Sequence, residues 1–325
     1  MRNKLIFIAA LIVAASCSTK VDSPRRLQYK DDGTFRIVQL ADLHLAKDHW
    51  SNFMVWDNLE NVMATQSPDL LVLTGDNVYS SPVEDIFTEL LDSLDATGVP
   101  YTFIFGNHDR QFDLGGEELL NLARRRERCL VGDVEHLTGE GTYALELFKG
   151  DSLATVLYFF DSGDTSPLAY GPVPEYDYGY VAVDGIAWYE AESRRYAEAA
   201  GGTPVNSLAF LHIPFPEYKE ITDYEGVWGE PVCSSHLNSG LFCKMLEMGD
   251  VRAVFCGHDH DNDYEGDLYG VHLAYGRYSG GKAEYNNLEP NGVRVIELQE
   301  FGRDFSTWIA LSDGSELPRR VNTGK

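Results

Sequence analysis

The sequence predicts an α/β fold in which helices cover the faces of β-sheets. From residue 35 onward, short apolar segments typical of strands alternate with amphipathic segments typical of helices. Near residue 142 two strand-like segments follow each other directly, and after residue 260 only strand-like segments follow. The alternation favours parallel strands joined by helices, whereas the other two observations predict an antiparallel portion.

The first half of the predicted domain contains three strands, each followed by a helix. The strands span residues 35–44, 69–77 and 101–109, and the helices span residues 52–66, 82–98 and 116–127. Apolar residues at helical spacing define the first helix. The second helix has Pro82 near its start and Gly98 at its end, where helices favour these two residue types.

The second half begins with the predicted antiparallel pair and contains two further helices. The pair spans 142–148 and 153–164, the helices span 183–202 and 239–250, and the other strands span 207–214, 251–260, 270–276, 291–298 and 304–311. Asp184 is predicted to cap the first of these helices. The last three strands are expected to form a β-rich end of one compact domain, residues 34–318.

The composition is that of a globular protein with a strongly acidic surface. Hydrophobic residues make up 44% of the chain, and 51 Asp and Glu outweigh 26 Lys and Arg to give a formal net charge of −25. Proteins that bind nucleic acids through the phosphate backbone need a basic face. The charge therefore argues against a nucleic-acid-binding module.

The N-terminal residues are typical of an export signal rather than of a folded domain. Arg2 and Lys4 precede an apolar run and then small residues that end at Cys17. Small residues before a cysteine resemble the lipobox of bacterial lipoproteins, although Ala14 stands where that pattern usually has Leu. We expect a signal peptide at 1–16, lipidation of Cys17, a polar tether at 17–33, and a membrane-anchored location in a bacterial cell envelope. The alternative is an ordinary cleaved signal in which Cys17 has no role.

Five predicted strands finish in polar residues that can bind metal ions. In chain order these residues are Asp42 and His44; Asp76; Asn107, His108 and Asp109; His212; and His258 and His260. Sites in α/β sheets form beyond the carboxyl ends of strands, so residues this far apart in sequence can converge. Side chains alternate along an extended segment, so each D-x-H or H-x-H pair points to one side and Asp259 points away.

The residue types at these strand ends indicate transition metals. Aspartate, asparagine and neutral imidazole are suitable ligands for ions such as zinc, iron and manganese. Two neighbouring carboxylates repel each other unless a proton or a cation lies between them. Glycines precede Asp76, Asn107 and His258, where they allow a tight turn and a close approach of the backbone.

The series DLH, GDN, GNHD, H and GHDH resembles the motif set of the calcineurin-like metallophosphoesterase superfamily over about residues 36–260. Further sequence segments, such as LTGDNV, HIPFPEY and NSGLF, are similar to those of a branch described as purple acid phosphatase-like. They extend the resemblance to about residue 297. The resemblance implies a four-layer α/β/β/α sandwich and two metal ions, of iron, zinc or manganese.

The resemblance also assigns a role to each motif residue. It implies that Asp76 bridges the two ions and that His108 stands near the leaving-group oxygen. The other implied ligands are Asp42, His44 and His260 for one ion, and Asn107, His212 and His258 for the second. Purple enzymes use a tyrosine three residues after the bridging aspartate, which corresponds to Tyr79, and they lack the histidine that His44 supplies. We expect His44 to be the ligand and Tyr79 to pack behind it.

The implied function is hydrolysis of a phosphate-ester small molecule, with a monoester favoured. A metal-activated water is expected to attack phosphorus while His108 assists the leaving group. Asp109 is a candidate for orienting His108, and Arg110 is a candidate phosphate contact whose alternative is a surface salt bridge. A phosphodiesterase on the same site and a catalytically silent metal-binding envelope module remain the alternatives.

Overall fold

The computed structural model describes residues 26–168 and 177–323, and this part of the chain contains two β-sheets and five α-helices. The predicted signal peptide 1–16, Cys17 and the first part of the tether lie outside the described residues. None of the helices in the described ranges has both the length and the apolar character of a membrane span.

The first sheet has eight strands in the order β1–β5–β6–β7–β9–β11–β10–β8. They span Leu27–Gln28, Tyr143–Lys149, Ser152–Phe159, Ser207–Phe210, Val251–Cys256, Val271–Tyr275, Glu265–Leu268 and Tyr224–Glu225. Its centre is parallel, from β6 through β7 and β9 to β11, and the strands that flank this centre include antiparallel pairs.

The second sheet has six strands in the order β14–β13–β12–β2–β3–β4. They span Arg320–Asn322, Phe305–Leu311, Gly292–Gln299, Thr34–Leu40, Leu70–Thr74 and Tyr101–Ile104. Strands β2, β3 and β4 are parallel, and β12, β13 and β14 continue the sheet in antiparallel fashion.

Five helices cover the outer faces of the two sheets. They are α1, Asn52–Gln66; α2, Val83–Ala96; α3, Gly116–Ala123; α4, Val183–Ala199; and α5, Leu241–Met248. One apolar core joins α1, α2 and α3 to the second sheet, and another joins α4 and α5 to the first. A third core lies between the sheets. The molecule is therefore a four-layer α/β/β/α sandwich, which confirms the predicted fold.

Side chains alternate between the two faces of each strand, so one strand can contribute residues to two of the three cores. Leu208 and Phe210 of β7 face the other sheet, whereas Ala209 and the following Leu211 face the helices. Flat aromatic stacking continues across neighbouring strands between the sheets. Ring centroids are 5.1 Å apart for Phe159 and Phe210, and 5.5 Å apart for Phe210 and Phe255.

Every predicted strand and helix is present, but several bounds and one arrangement differ. The last strands do not form a separate β-rich end, because β11 joins the first sheet while β12 and β13 join the second. Helix α4 is capped by Ala182 rather than Asp184, which lies in its first turn. Strands β1, 27–28, and β14, 320–322, lie outside the range 34–318 predicted for the domain.

A buried arginine ties the two sheets together. Arg294 of β12 is fully buried, and it donates hydrogen bonds to the carbonyl oxygens of Tyr275 and Asp263 at 2.6 and 2.7 Å. Its Nη1 lies 3.0 Å from Glu265 Oε1 of the first sheet. Burial alone would raise the pKa of Glu265, but the charge of Arg294 and a hydrogen bond from His272 lower it to about 2.

We expect Glu265→Gln to lower the free energy of unfolding at pH 7 by about 3 kcal/mol, because it leaves the Arg294 charge buried without a counter-charge. The unfolded carboxyl has a pKa near 4.3, so the charge contributes stability above that pH. The gap between wild type and variant should shrink as the pH falls from about 4 towards 2. Urea unfolding measures both effects.

The control, Glu192→Gln, breaks an exposed pair with Arg195 and should cost less than about 1 kcal/mol. Equal losses of unfolding free energy in the two variants would contradict the role assigned to Glu265.

Candidate metal centre

The predicted ligands lie in the turns that follow five strands, at one end of the sandwich. Strands β2, β3 and β4 of the second sheet end before Asp42, Asp76 and Asn107, whereas β7 and β9 of the first sheet end before His212 and His258. The strands predicted from the sequence included these motif residues. The structure shows that the regular strand ends two to three residues earlier, so the ligands are held by turns.

Four of these residues have left-handed backbone conformations that non-glycine residues rarely adopt. The φ angles are 58° at Asp42, 45° at His44, 53° at Asp76 and 80° at His258. Each such residue costs of order 1–3 kcal/mol, and such strain concentrates where function requires it. The turns therefore aim side chains at one point at the expense of backbone stability.

The first ligand group consists of Asp42, His44 and His260, all buried. His44 Nε2 lies 3.1 Å from His260 Nε2, which lies 3.8 Å from Asp42 Oδ1. The Asp42 carboxylate also accepts hydrogen bonds from the His258 backbone N–H at 3.0 and 3.1 Å. This last contact connects the turn after β2 to the turn after β9 across the two sheets.

The second group consists of Asp76, His212 and His258, and Asn107 joins it. Three atoms surround His212 Nε2: Asn107 Oδ1 at 3.1 Å, His258 Nδ1 at 3.2 Å and Asp76 Oδ2 at 3.2 Å. Asp76 Oδ2 is also 3.7 Å from His44 Nε2 of the first group. Asp76 thus lies between the two groups, as a bridging ligand would.

Backbone carbonyls fix which ring nitrogens face the centre. His212 Nδ1 lies 2.7 Å from the Thr74 carbonyl oxygen, and His260 Nδ1 lies 2.7 Å from that of Tyr285. Each Nδ1 donates its proton there, so that Nε2 has a lone pair facing the centre whenever the ring is neutral. This is the arrangement that orients histidine ligands in metal proteins.

These contacts fit a pair of metal ions. Lone pairs and carboxylate oxygens that face one another at 3.1–3.2 Å repel unless a cation lies among them. Ligand atoms about 2.1 Å from one ion, at tetrahedral or octahedral angles, lie about 3.0–3.4 Å apart. The separations around His212 Nε2 and the separation between His44 and His260 match that spacing, whereas His260 Nε2 and Asp42 Oδ1, 3.8 Å apart, are somewhat wider.

The pKa shifts of the buried groups also indicate that the site needs positive charge. Burial alone would lower the pKa of His212, but the Asp76 carboxylate and then Asp42 raise it to about 10. Burial raises the pKa of Asp42 well above its usual value, with a further rise from Asp76. Burial lowers the pKa of His44 and His258 well below the usual value, so both rings stay neutral and ready to act as ligands.

His108 stands beside this centre and is reachable from solvent. Its Nε2 is 3.9 Å from Asp76 Oδ2, and its side chain is 28% exposed while the ligands are almost fully buried. The Gln111 amide nitrogen lies 2.7 Å from His108 Nδ1. Because an amide N–H can only donate, Nδ1 accepts and the neutral ring carries its proton on Nε2, which faces the centre.

Asp109 does not orient His108 as the sequence suggested. Its carboxylate accepts hydrogen bonds from the backbone N–H groups of Gly106, Asn77 and Val78 at 2.8, 2.7 and 3.1 Å. These bonds join the turn after β4 to the turn after β3, which carries Asp76. Asp109 is therefore a positioning residue for the bridging aspartate.

Arg110 forms salt bridges instead of presenting a free guanidinium to the site. Its Nη1 lies 2.7 Å from Asp161 Oδ2 and its Nη2 lies 2.6 Å from Asp164 Oδ1, with Glu140 at 3.4 Å from Nη1. The side chain is only 11% exposed. The structure thus places Arg110 in a largely buried ion-pair cluster rather than in a surface salt bridge, and the phosphate contact stays a prediction.

The structure also places two other residues that the sequence singled out. Tyr79 packs edge-on against His44 and His108, with ring centroids 5.0 and 4.8 Å apart, and the choice of His44 over Tyr79 as ligand stays a prediction. A hydrogen bond to Glu284 and burial raise the pKa of Tyr79 to about 12. Asp259 points away from the centre and accepts hydrogen bonds from Tyr275 Oη at 2.6 Å and the Cys233 backbone N–H at 3.1 Å.

Sequence reasoning missed three participants: Thr74, Gln111 and Tyr285. Thr74 and Tyr285 act through backbone carbonyls, which every residue has, so their identity gives no signal. Gln111 lies three residues after His108, a spacing that brings the two side chains together in a turn. That spacing was the only available signal.

Comparisons with known proteins agree with this geometry. The profile of the family described as calcineurin-like phosphoesterase matches residues 35–262. The chain is 29% identical to probable inactive purple acid phosphatase 29 of Arabidopsis thaliana, over 95% of this chain and 91% of that protein. It is 31% identical to probable inactive purple acid phosphatase 28 of the same plant, over 88% of this chain and 80% of that protein.

A solved structure shares the architecture. The crystal structure of a dimetal phosphatase from Danio rerio superposes with a TM-score of 0.61, covering 90% of this chain and 99% of that one. At 13% identity the likeness concerns the fold alone.

We expect Gly106→Ala to reduce the bound metal below two ions per chain. A Cβ at Gly106 would lie 2.1 Å from Asp76 Oδ1, so the bridging carboxylate would have to move. Elemental analysis of the purified protein measures the effect. The control is Gly185→Ala in α4, where the nearest atom would be 3.4 Å away and helix propensity favours alanine. If the Gly106 variant keeps both ions, Asp76 does not bridge them.

Proposed function

The chain belongs to the calcineurin-like phosphoesterase family, and from this premise we propose that it is a two-metal hydrolase of phosphate esters that prefers monoesters. The observation that carries the proposal is the convergence of a complete donor set on Asp76, with His108 beside it and open to solvent. A site that only binds metal ions and has no catalytic activity would not need an N–H group of a histidine ring at that position.

Two bound ions would supply a positive clamp for the phosphate oxygens and would lower the pKa of water towards about 7. The residues of the chain provide the rest. Asp42, Asp76 and Asn107 from one sheet, with His212 and His258 from the other, hold the centre rigidly because both sheets are packed. The His108 Nε2–H faces the place where the leaving oxygen must take up a proton.

The surroundings of His108 favour its role as proton donor. Gln111 holds Nδ1 at 2.7 Å and so keeps the proton on Nε2. Tyr79 packs edge-on against the ring and restricts its rotation. The ring can give up this proton only from its imidazolium form, so a second proton must first reach Nδ1, with the Gln111 amide turned to present its oxygen. The partly exposed side chain lets solvent supply that proton, and the transfer to the leaving oxygen then leaves a neutral ring.

The preference for monoesters is supported by the similar proteins. The two Arabidopsis relatives are named as phosphatases, and each aligns with this chain over most of its length. On one side of the centre, Glu230 accepts a hydrogen bond from the Tyr285 hydroxyl at 2.8 Å, and the Tyr285 ring packs on His260.

The second candidate function is a metal-binding module without turnover. It is favoured by the names of the two Arabidopsis relatives, which call those proteins probably inactive. Metal-loaded protein that cleaves neither an aryl phosphomonoester nor a bis-aryl phosphodiester would support this candidate over the hydrolase.

We further propose that the chain is exported and anchored through Cys17, on the sequence of residues 1–17. Expression in a bacterium with labelled palmitate should label wild type, whereas Cys17→Ser should yield unlabelled protein that leaves the membrane fraction. Equal recovery of both proteins in the soluble fraction would favour the ordinary cleaved signal.

We expect His108→Ala to lower kcat for an aryl phosphomonoester about 100-fold or more while both metal ions stay bound, because the leaving oxygen loses its proton donor. The loss should be smaller for substrates with acidic leaving groups, which need less protonation. Steady-state rates across a series of aryl substrates measure it, alongside metal content. His136→Ala removes a fully exposed histidine far from the motifs and serves as the control. Equal losses for all leaving groups would argue against the proton-donor role.

A further inference from the structure

A second cavity, of about 340 Å³, opens at the end of the sandwich opposite to the metal centre. Arg252 and His272 border it, at the second positions of the parallel strands β9 and β11. His258 follows the other end of β9. The six-residue separation of Arg252 and His258 corresponds to about 20 Å of extended chain, so the cavity is distinct from the metal centre.

The cavity gathers positive charge in a strongly acidic protein. Three of its ten lining residues are the arginines Arg252, Arg303 and Arg320, and one is an acid, Asp267. The chain as a whole has 26 basic residues against 51 acidic ones. A three-to-one excess of arginine over acid in one cavity therefore reverses the balance of the rest of the molecule.

Two acids near the cavity, Asp267 and Glu265, already have cationic partners, and a third, Asp304, borders a neighbouring cavity together with Arg252 and Arg303. Asp267 Oδ2 lies 3.2 Å from Arg320 Nη2, and Asp267 Oδ1 lies 2.8 Å from His272 Nδ1. Glu265, on the other side of His272, pairs with the buried Arg294.

Two arginines remain without a counter-charge. Within the described ranges, neither Arg252 nor Arg303 has a carboxylate oxygen at salt-bridge distance. The Arg252 Nε donates to Asn206 Oδ1 at 3.3 Å, which leaves its two terminal nitrogens for another partner. The cavity therefore has about two positive charges that are not compensated by the described protein groups.

A buried donor without an acceptor lies at the same place. The Nδ2 of Asn322, on β14 opposite Phe305, is shielded from solvent and has no hydrogen-bond acceptor among the described residues. Leaving such a buried group unpaired is destabilising. The free groups of the cavity thus offer hydrogen-bond donors, which calls for a ligand rich in acceptors.

We propose that this cavity binds a small molecule that carries a doubly charged phosphate group. Guanidinium groups bind phosphate oxygens through paired N–H donors, which suits Arg252 and Arg303. The volume lies at the lower end of small-molecule sites, about 300–1,000 Å³. It exceeds what a phosphate group alone needs, and Val321, which borders the cavity and is 64% exposed, offers apolar surface for an organic part.

Binding of radiolabelled inorganic phosphate to the metal-loaded full-length protein tests the proposal by equilibrium dialysis. Wild type is compared with Arg303→Gln and Arg252→Gln, and with the control Arg194→Gln. Arg194 is exposed on α4 and pairs with Glu190, so its loss changes the net charge equally without touching the cavity. Unfolding temperatures without phosphate and metal content check that each variant is intact.

We expect the two cavity variants each to lose a phosphate-binding component at least tenfold in affinity, whereas the control binds as wild type does. Cavity variants that bind phosphate as the control does would overturn the proposal. Phosphate held at the metal centre is common to all four proteins and cancels from the comparison. The result therefore does not depend on whether the protein is an active hydrolase.

Phenylphosphonate, which carries a carbon–phosphorus bond that a phosphoesterase does not cleave, distinguishes the two sources of the phosphate group. Tighter binding than inorganic phosphate, with the gain lost in Arg303→Gln, supports an organic phosphate as the ligand. Weaker binding than inorganic phosphate would overturn the assignment of an organic part to the apolar surface at Val321.

Discussion

The structure depends on one electrostatic constraint. Several hydrogen-bond acceptors converge at one buried point and need positive charge between them. Around His212 Nε2 lie a carboxylate oxygen of Asp76, the amide oxygen of Asn107 and a ring nitrogen of His258, all within 3.2 Å. Such a cluster is unstable in a buried setting unless positive charge is placed inside it. Two cations satisfy the constraint and at the same time create the chemistry of a phosphoesterase.

Because the ligands come from both sheets, the centre exists only while the sheets are packed against each other. The stacked aromatic core between the sheets sets their spacing, and Arg294 spans them near their middle. Closer to the site, Gln39 of the second sheet donates hydrogen bonds to the Cys256 carbonyl oxygen of the first at 2.9 Å and to Thr74 Oγ1 at 3.0 Å. This packing also supports the left-handed turns that carry the ligands, since isolated turns would relax.

Neighbouring residues of a single motif turn out to have separate tasks. In GNHDRQ, residues 106–111, the asparagine faces the metal groups and the histidine faces the substrate side. The aspartate braces the turn that holds Asp76, the arginine joins an ion-pair cluster, and the glutamine sets the tautomer of the histidine. Charge is likewise divided over the molecule, with carboxylates at the metal centre and, at the opposite end, two arginines that have no carboxylate partner among the described residues.

The sequence by itself determined the fold class, the order of strands and helices, and which strand-end residues gather at the candidate metal centre. These follow from local periodicity and from the fact that strand ends on one sheet edge converge. The tertiary structure decided the rest: that β11 joins one sheet and β12 the other, that Asp109 braces a turn, and that Arg110 is held by Asp161. The reason is that periodicity records which face of a segment is buried, whereas the partner that a buried or charged group meets is fixed only when distant segments pack.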